Sequence, residues 1–200
     1  MAIKGLSIPT FGKYAYNATT PAVTYSEGKT MGHAIEYSAD FETADENPLY
    51  GDNKIVEHDV SGFSTGTLTL TTSELTNDVS KWLLDLDEVT TGTGNDAFST
   101  LYWNDNAVPI TVGFGIIEEH QIDDVTYYKP IIFPKLKPKF NNFAATTRGE
   151  TVDWQTQQIE FTIERSDVND HAWMYTPSVM YSSESDAQTW LNTILGVSAG

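Results

Sequence analysis

The sequence predicts a mainly β protein: a β-sandwich or barrel with one amphipathic helix packed against it and a short helix near the C-terminus. Leucine and threonine alternate over residues 67–71, so the two residue types fall on opposite faces of a strand. The period then becomes helical, and one apolar stripe contains Leu75, Val79, Trp82, Leu83 and Leu86. Because strand-like alternation recurs elsewhere in the chain, we expect this helix to pack against a sheet.

The first part of the chain is predicted to be extended. Residues 1–29 mix glycine, proline and tyrosine, which favours short extended pieces over a helix. Residues 31–42 then alternate cleanly. The apolar positions are His33, Ile35, Tyr37, Ala39 and Phe41. The positions between them include Glu36, Asp40 and Glu42, so this strand is predicted to have one apolar and one acidic face.

Two segments on either side of the predicted helix lack a regular pattern. Residues 43–53 are polar and broken by Pro48 and Gly51, which predicts a loop or mobile arm before a strand over residues 54–60. Residues 87–106, which contain glycine, asparagine and aspartate, are predicted to form a second long loop. At the helix start, Thr71 and Glu74 have capping-box spacing, and Ser73 is a second candidate N-cap.

The second half of the chain continues the strand patterns. Residues 108–119 alternate, with Ile110, Val112, Phe114 and Ile116 on one face, and Asp123–Asp124 then predicts a hairpin turn into residues 126–133. The last long strand is predicted over residues 150–165. Its apolar face holds Ile159, Phe161 and Ile163, and its polar face holds Gln158, Glu160, Thr162 and Glu164. Residues 183–200 are predicted to be a C-terminal helix and tail, with the helix ending at Gly196.

Lysines are concentrated in one short stretch of this acidic chain. Four of the 11 basic residues lie between positions 129 and 139. Prolines at 130, 134 and 138 favour an extended chain there, which would place Lys135, Lys137 and Lys139 on the same side.

Composition limits the classes of function. A chain of 200 residues is expected to form a single domain, residues 1–200, with a hydrophobic core large enough to be stable without added cross-links. It has no cysteine, so disulfides and thiolate chemistry are excluded. The net charge of −17 disfavours nonspecific attraction to nucleic acid or anionic lipid. That acidity fits either simple solubility or a surface that repels DNA. We expect neither a signal peptide nor a membrane span.

No group of residues predicts catalysis or a cofactor. His33, His58, His120 and His171 are scattered, and none has a partner at metal-ligand spacing, so each is interpreted as structural or exposed. The segment Asp167–Asp170 resembles part of a calcium loop but lacks the glycine and the final glutamate. We therefore expect no enzymatic activity, no metal and no cofactor.

Four short motifs, in order over residues 1–165, resemble the major tail protein, the tail-tube subunit of long non-contractile phage tails. The motifs are MAIKGL at the start with a nearby proline, NPLYGDN at 47–53 followed by Glu57, GTLTL at 66–70 with Glu74 and Leu75, and TRGE at 147–150 with WQT at 154–156. The last 35 residues carry no such resemblance.

The resemblance implies a β-sandwich subunit that forms hexameric rings, which stack into a tube. Such a tube holds a tape-measure protein, has tail terminator and distal tail proteins at its ends, and conducts double-stranded DNA without retaining it. The protein would be made in the host cytoplasm and reside in the virion, with no membrane partner.

Two sets of residues follow as candidates for roles in such a tube. A strand with an apolar, buried face must turn its acidic face toward water. The lumen of a barrel is one location where water would meet that face, and the outer wall of the tube is the alternative location. The lumen candidates are Glu36, Asp40, Glu42, Glu160 and Glu164. The candidates for contacts between subunits are Leu49, Tyr50, Asp52, Lys135, Lys137 and Lys139.

Two other classes of function remain open at the sequence level. The first is a β-sandwich binding module of a virion, for capsid decoration or glycan recognition, that presents Tyr50, Tyr102 and Trp103 in loops. The second, a hydrolase, has the least support, because 28 acidic residues make accidental carboxylate pairs inevitable.

Overall fold

A computed structural model of the protein describes residues 2–45, 48–57, 62–94, 97–140, 147, 156–168 and 170–197. The strands are β1 (Ala2–Asn17), β2 (Ala22–Thr30), β3 (Ala34–Thr43), β4 (Leu49–Gly51), β5 (Lys54–Glu57), β6 (Phe63–Thr72), β7 (Asp87–Thr91), β8 (Phe98–Tyr102), β9 (Val112–Ile122), β10 (Val125–Pro138) and β11 (Gln157–Ile163). The helices are α1 (Asn77–Leu84) and α2 (Glu184–Leu195).

Seven strands form one antiparallel sheet in the order β2-β1-β9-β10-β11-β6-β3. The edge strand β3 nevertheless lies close to β1, five positions away in that order. The sheet must therefore curl strongly, so that it has an inner and an outer face. The mainly β fold class with a packed helix is confirmed.

The inner face of the sheet holds the main core. Phe11, Phe114, Phe133 and Phe161 are fully buried, and the Phe11 ring lies 4.7 Å from that of Phe114 and 5.6 Å from that of Phe161. Leu83 and Leu84 of α1 belong to the same cluster. The predicted apolar faces of β6, β9 and β11 all lie in this core, which confirms those three alternations.

Helix α2 covers the outer face of β1, β9 and β10 and forms a second core. Its Leu191 and Leu195 pack with Ile117 and Ile132. The helix can approach β9 this closely because residue 115 is a glycine, since a Cβ at Gly115 would lie 2.6 Å from Leu191 Cδ2. The predicted C-terminal helix is confirmed, and it ends at Gly196 in the left-handed conformation.

The predicted start of α1 was wrong. The N-cap is Thr76, whose Oγ1 accepts a hydrogen bond from the backbone N–H of Val79, and neither Thr71 nor Ser73 caps the helix. The reason is that β6 runs on to Thr72, where Thr71 and Thr72 are buried and paired with β11. Because both threonines are part of the sheet, they cannot cap the helix.

Both predicted loops contain strands, which corrects the sequence prediction. The first loop supplies β4 and the turn of a hairpin whose other strand, β5, confirms the predicted strand over residues 54–57, and the second loop contains a whole hairpin. In the first, β4 pairs with β5, and the turn residues Asp52 and Asn53 have φ of 50° and 61°, as in a type I′ turn. In the second, β7 pairs with β8. The side chains of the hairpins that the structure describes are nearly all exposed, so they show no alternation of buried and exposed residues. The part of the predicted strand 54–60 beyond residue 57 lies outside the described residues.

Other strand predictions were right in kind and inaccurate in extent. Two long strands, β1 and β2, are found in place of the short pieces predicted over residues 1–29, and the strand predicted from residue 108 begins at Val112. Ile35 is 51% exposed because a bulge between Ala34 and Glu36 interrupts the alternation. The turn at Asp123 and Asp124 is confirmed. The predicted strand over 150–165 is observed over 157–163, and 148–155 lies outside the described residues.

Candidate functional site: the polar face of the sheet

The outer face of β3, β6, β11 and the end of β10 is polar and is not covered by α2. Opposed residues of an antiparallel sheet share a face. The register pairs Asp40 with Thr67, Thr67 with Thr162 and Thr162 with Lys137, so side chains from all four strands lie on one side. We call this surface the polar face. It consists of Glu36, Ser38, Asp40, Glu42, Thr65, Thr67, Thr69, Gln158, Glu160, Thr162, Glu164, Lys135, Lys137 and Lys139.

All five lumen candidates lie on the polar face. Glu36, Asp40 and Glu42 form a row of exposed carboxylates along the edge strand β3. Glu160 and Glu164 form a second row on and just beyond β11. The uncharged threonines of β6 separate the two rows. The structure thus brings together acids that are more than 100 residues apart in sequence.

The three lysines lie on the same face and have acidic partners within the chain. Lys137 Nζ is 2.9 Å from Glu164 Oε1, and Lys139 Nζ is 3.5 Å from Glu160 Oε2. Lys135 lies 3.4 Å from Glu164 Oε2 and 2.9 Å from Asp167. The contact of these lysines with a neighbouring subunit stays a prediction, but it would have to compete with partners already in place.

Lys135 is the most strongly held of the three. Its ammonium donates hydrogen bonds of 2.9 Å to both carboxylate oxygens of Asp167, and the Tyr14 hydroxyl donates to the same carboxylate. Burial acts to lower the pKa of Lys135, but the hydrogen bond and charge of Asp167 and the charge of Glu164 raise it overall. The hydrogen bond from Lys135, aided by that from Tyr14, lowers the pKa of Asp167 against the effect of burial.

The charge of the polar face is therefore uneven. Among the described residues, no lysine or arginine lies within 4 Å of the carboxylates of Glu36, Asp40 or Glu42. Three strand spacings separate Asp40 from Lys137, or roughly 14 Å. That exceeds the Debye length of about 8 Å at physiological salt, so the lysines neutralise the β11 row and leave the β3 row negative.

The two hairpins carry exposed apolar side chains. On β4–β5 these include Tyr50 and Val56, each 65% exposed, and on β7–β8 Phe98 is 61% exposed. Tyr50 was a predicted contact residue, and Asp52 lies in the turn, while the side chain of Leu49 is outside the described residues. Sequence reasoning missed Val56 and Phe98. The Asp52-Asn53 turn between two apolar pairs was a usable indication of the first hairpin.

The other residues singled out in the sequence make no metal site in the described part of the chain, where no three His, Asp or Glu side chains cluster suitably. Asp167 is engaged by Lys135 and Tyr14, and Asn169 lies outside the described residues, as does His58. His120 is buried.

No helix in the described ranges is long and apolar enough to cross a membrane.

Comparisons with known proteins do not identify a family. No protein-family model matches this chain, and no curated protein sequence matches it.

Proposed function

We propose that this protein is a structural subunit of a bacteriophage tail tube, assembling with itself into stacked six-membered rings whose lumen is lined by the acidic row of β3. The observation that carries the proposal is the polar face, which α2 leaves open and on which all five candidate acids share one side of one sheet. The order of motifs along the sequence supports the same role. The proposal gives the protein a structural role and no catalytic one.

The ion pairs on the polar face indicate which of the five acids would repel DNA. Glu160 and Glu164 have lysine partners, so their charges are largely compensated. Glu36, Asp40 and Glu42 keep theirs, and ring symmetry would repeat this row around the channel. Because repulsion of phosphate decays over about 8 Å, only a row close to the duplex would keep it from adhering.

The hairpins carry apolar surface that would hold copies of the chain together despite a net charge of −17 per chain. Like-charged copies repel, so assembly needs buried apolar area. Tyr50, Val56 and Phe98 are large, exposed and mounted on hairpins that stand apart from the main sheet. We assign both hairpins to contacts between copies. In this role the other partners are the tape-measure protein in the lumen, tail terminator and distal tail proteins at the tube ends, and passing DNA.

Electron microscopy of the purified protein at high concentration tests the proposal directly. Rings or tubes of uniform diameter are the expected result. Deletion of residues 44–52 should leave a folded monomer that forms none, because the first hairpin is lost. A wild-type protein that stays monomeric at all concentrations, even with tail initiator proteins added, would contradict the proposal. Normal tubes from the deletion variant would remove only the assignment of the hairpin.

A virion binding module is the second candidate function, and the exposure of Tyr50 and Tyr102 favours it. Exposed aromatic rings can stack on sugars. Such a module would remain a monomer or small oligomer and would bind a glycan array, with binding lost in Tyr50→Ala or Tyr102→Ala. A tube subunit would assemble and bind no glycan, so the two functions give opposite results in the same pair of measurements.

A further inference from the structure

A groove opens between β1 and β3, on the side of the sheet opposite to the polar face. Its volume is about 320 Å³, and it is lined by Ile3, Tyr37, Ala39, Phe41, Glu118, Phe133 and Met174. Three of these side chains are aromatic and three are aliphatic or thioether. The only charged group among them is the carboxylate of Glu118.

Glu118 is unusual because it is buried, with 5% of its surface exposed. The Tyr37 hydroxyl donates a 2.5 Å hydrogen bond to Oε1, and His120 Nε2 lies 2.9 Å from Oε2. Burial, with the adjacent Glu118 carboxylate, raises the pKa of Tyr37, so this hydroxyl keeps its proton and remains a donor. A carboxylate has about four acceptor positions, so two remain after these contacts.

Among the described residues, the basic side chain within ion-pair distance of Glu118 is His120, and no lysine or arginine occupies the remaining positions. Lys129 lies opposite Glu118 on β10, on the same face, but forms no ion pair with it within 4 Å in the described structure. The neighbouring Glu119 is different, since it lies on the outer face and pairs with Lys4 at 3.1 Å. The imidazole beside Glu118 is itself incompletely bonded, because His120 Nδ1 is buried and has no hydrogen-bond partner among the described residues.

A buried carboxylate below aromatic and aliphatic walls is complementary to one kind of side chain. A guanidinium group can donate to carboxylate oxygens and stack on aromatic faces, while its aliphatic stem lies against apolar surface. The exposed Ile3, Phe41 and Met174 at the rim would contact that stem. We propose that the β1–β3 groove is a binding site for an arginine side chain of a partner protein, with Glu118 as its acceptor.

Methyl NMR of the full-length chain tests this inference with n-butylguanidinium as the probe and n-butylurea as its neutral match. We expect a saturable shift of the Met174 methyl with the cation and little with the urea, while the buried Met31 methyl, which does not line the groove, stays unchanged. Glu118→Gln should weaken binding about tenfold or more, because a hydrogen bond to a charged acceptor is replaced by a neutral one. The matched control Glu119→Gln should bind as the wild type does.

A second variant covers the case in which Glu118→Gln fails to fold. Met174→Lys places an ammonium at the exposed rim, where it should reach Glu118 and abolish the shift of the Ile3 methyl on adding the probe. Equal binding of n-butylurea, full binding in Glu118→Gln or Met174→Lys, or no saturable binding by the wild type would each overturn the inference. Binding that appears only in Lys129→Ala would overturn it too, since Lys129 would then be the natural occupant. None of these results depends on tube assembly.

Discussion

The two halves of the outer face of the seven-stranded sheet differ in what covers them. Where α2 packs on β1, β9 and β10, the outer side chains beneath it, among them Ile117 and Ile132, are small or apolar. Over β11, β6 and β3 they are threonines and charged residues, and α2 does not cover them. The inner face is apolar across both halves. The half that α2 covers therefore contributes to the stability of the subunit, and the half that α2 leaves open can contact water or another molecule.

The largest expected effect lies in the covered half. Leu191→Ala removes a fully buried side chain from the interface between α2 and β9, so we expect the free energy of unfolding to fall by about 2–5 kcal/mol. Thr193→Ala, on the exposed side of the same helix, should change it by less than about 0.5 kcal/mol. Urea unfolding of both variants measures the difference. Equal losses would mean that α2 is held by something other than its apolar side.

A smaller effect is expected where the two halves meet, at Lys135 and Asp167. The lowered pKa of Asp167 means that its contribution to stability is present above its ordinary pKa near 3.8 and is lost as the pH falls through the lowered value. Asp167→Asn should cost at most about 1 kcal/mol near pH 7, because the pair is partly exposed. The gap in melting temperature between wild type and variant should close as the pH falls below that ordinary value. A gap that is constant with pH would contradict the ion pair.

Within the open half, the outer lysine pairs should matter less still. Lys137→Gln with Lys139→Gln breaks two exposed pairs, each worth about 0–1 kcal/mol at most. The loss should shrink at high salt, because exposed pairs are screened. In the proposed tube, freeing Glu160 and Glu164 from these lysines would also add negative charge to the lumen. Chemical unfolding at low and high salt is the measurement, with Lys4→Gln as the control pair elsewhere. A loss independent of salt would assign the lysines a packing role.

The smallest effect on stability is expected at the acidic row of β3. Replacing Glu36, Asp40 and Glu42 with lysine should leave the melting temperature nearly unchanged, because these side chains are exposed and unpaired within the described chain. The change should instead slow DNA ejection, since phosphate would bind the new cations. Tails assembled with this variant, and with Glu160→Lys and Glu164→Lys as a separate pair, would be compared for ejection rate. Normal ejection by the β3 variant would contradict its place in the lumen.

How far the sequence could predict this structure depended on whether a segment touches the core. Leu68, Leu70, Ile159 and Phe161 alternate because one side of each strand is buried, and these strands were predicted correctly. The hairpins β4–β5 and β7–β8 lie off the main core, so burial leaves no periodic pattern in them.

The candidate site was predictable only strand by strand. The alternation of each sequence segment predicted an acidic face on β3 and another on β11. That the two acidic faces lie on the same side of one sheet depends on the strand order β11-β6-β3, which brings together segments far apart in sequence. The lysine partners of Glu160 and Glu164 were missed for the same reason. The burial of Glu118 follows from the alternation, since residue 118 continues the apolar face of residues 110–116, but a carboxylate is ordinarily expected to face water.

The position of α2 in the chain has a consequence for biosynthesis. The ribosome produces β9 and β10 about 50 residues before the helix that covers them. Until residues 184–195 emerge, the outer side chains Ile117 and Ile132 lack the cover that α2 provides, although the inner core can already close. A chain interrupted in that interval would expose apolar surface on an otherwise complete sheet. Nascent chains of this protein are therefore most exposed to aggregation and to chaperone binding late in translation.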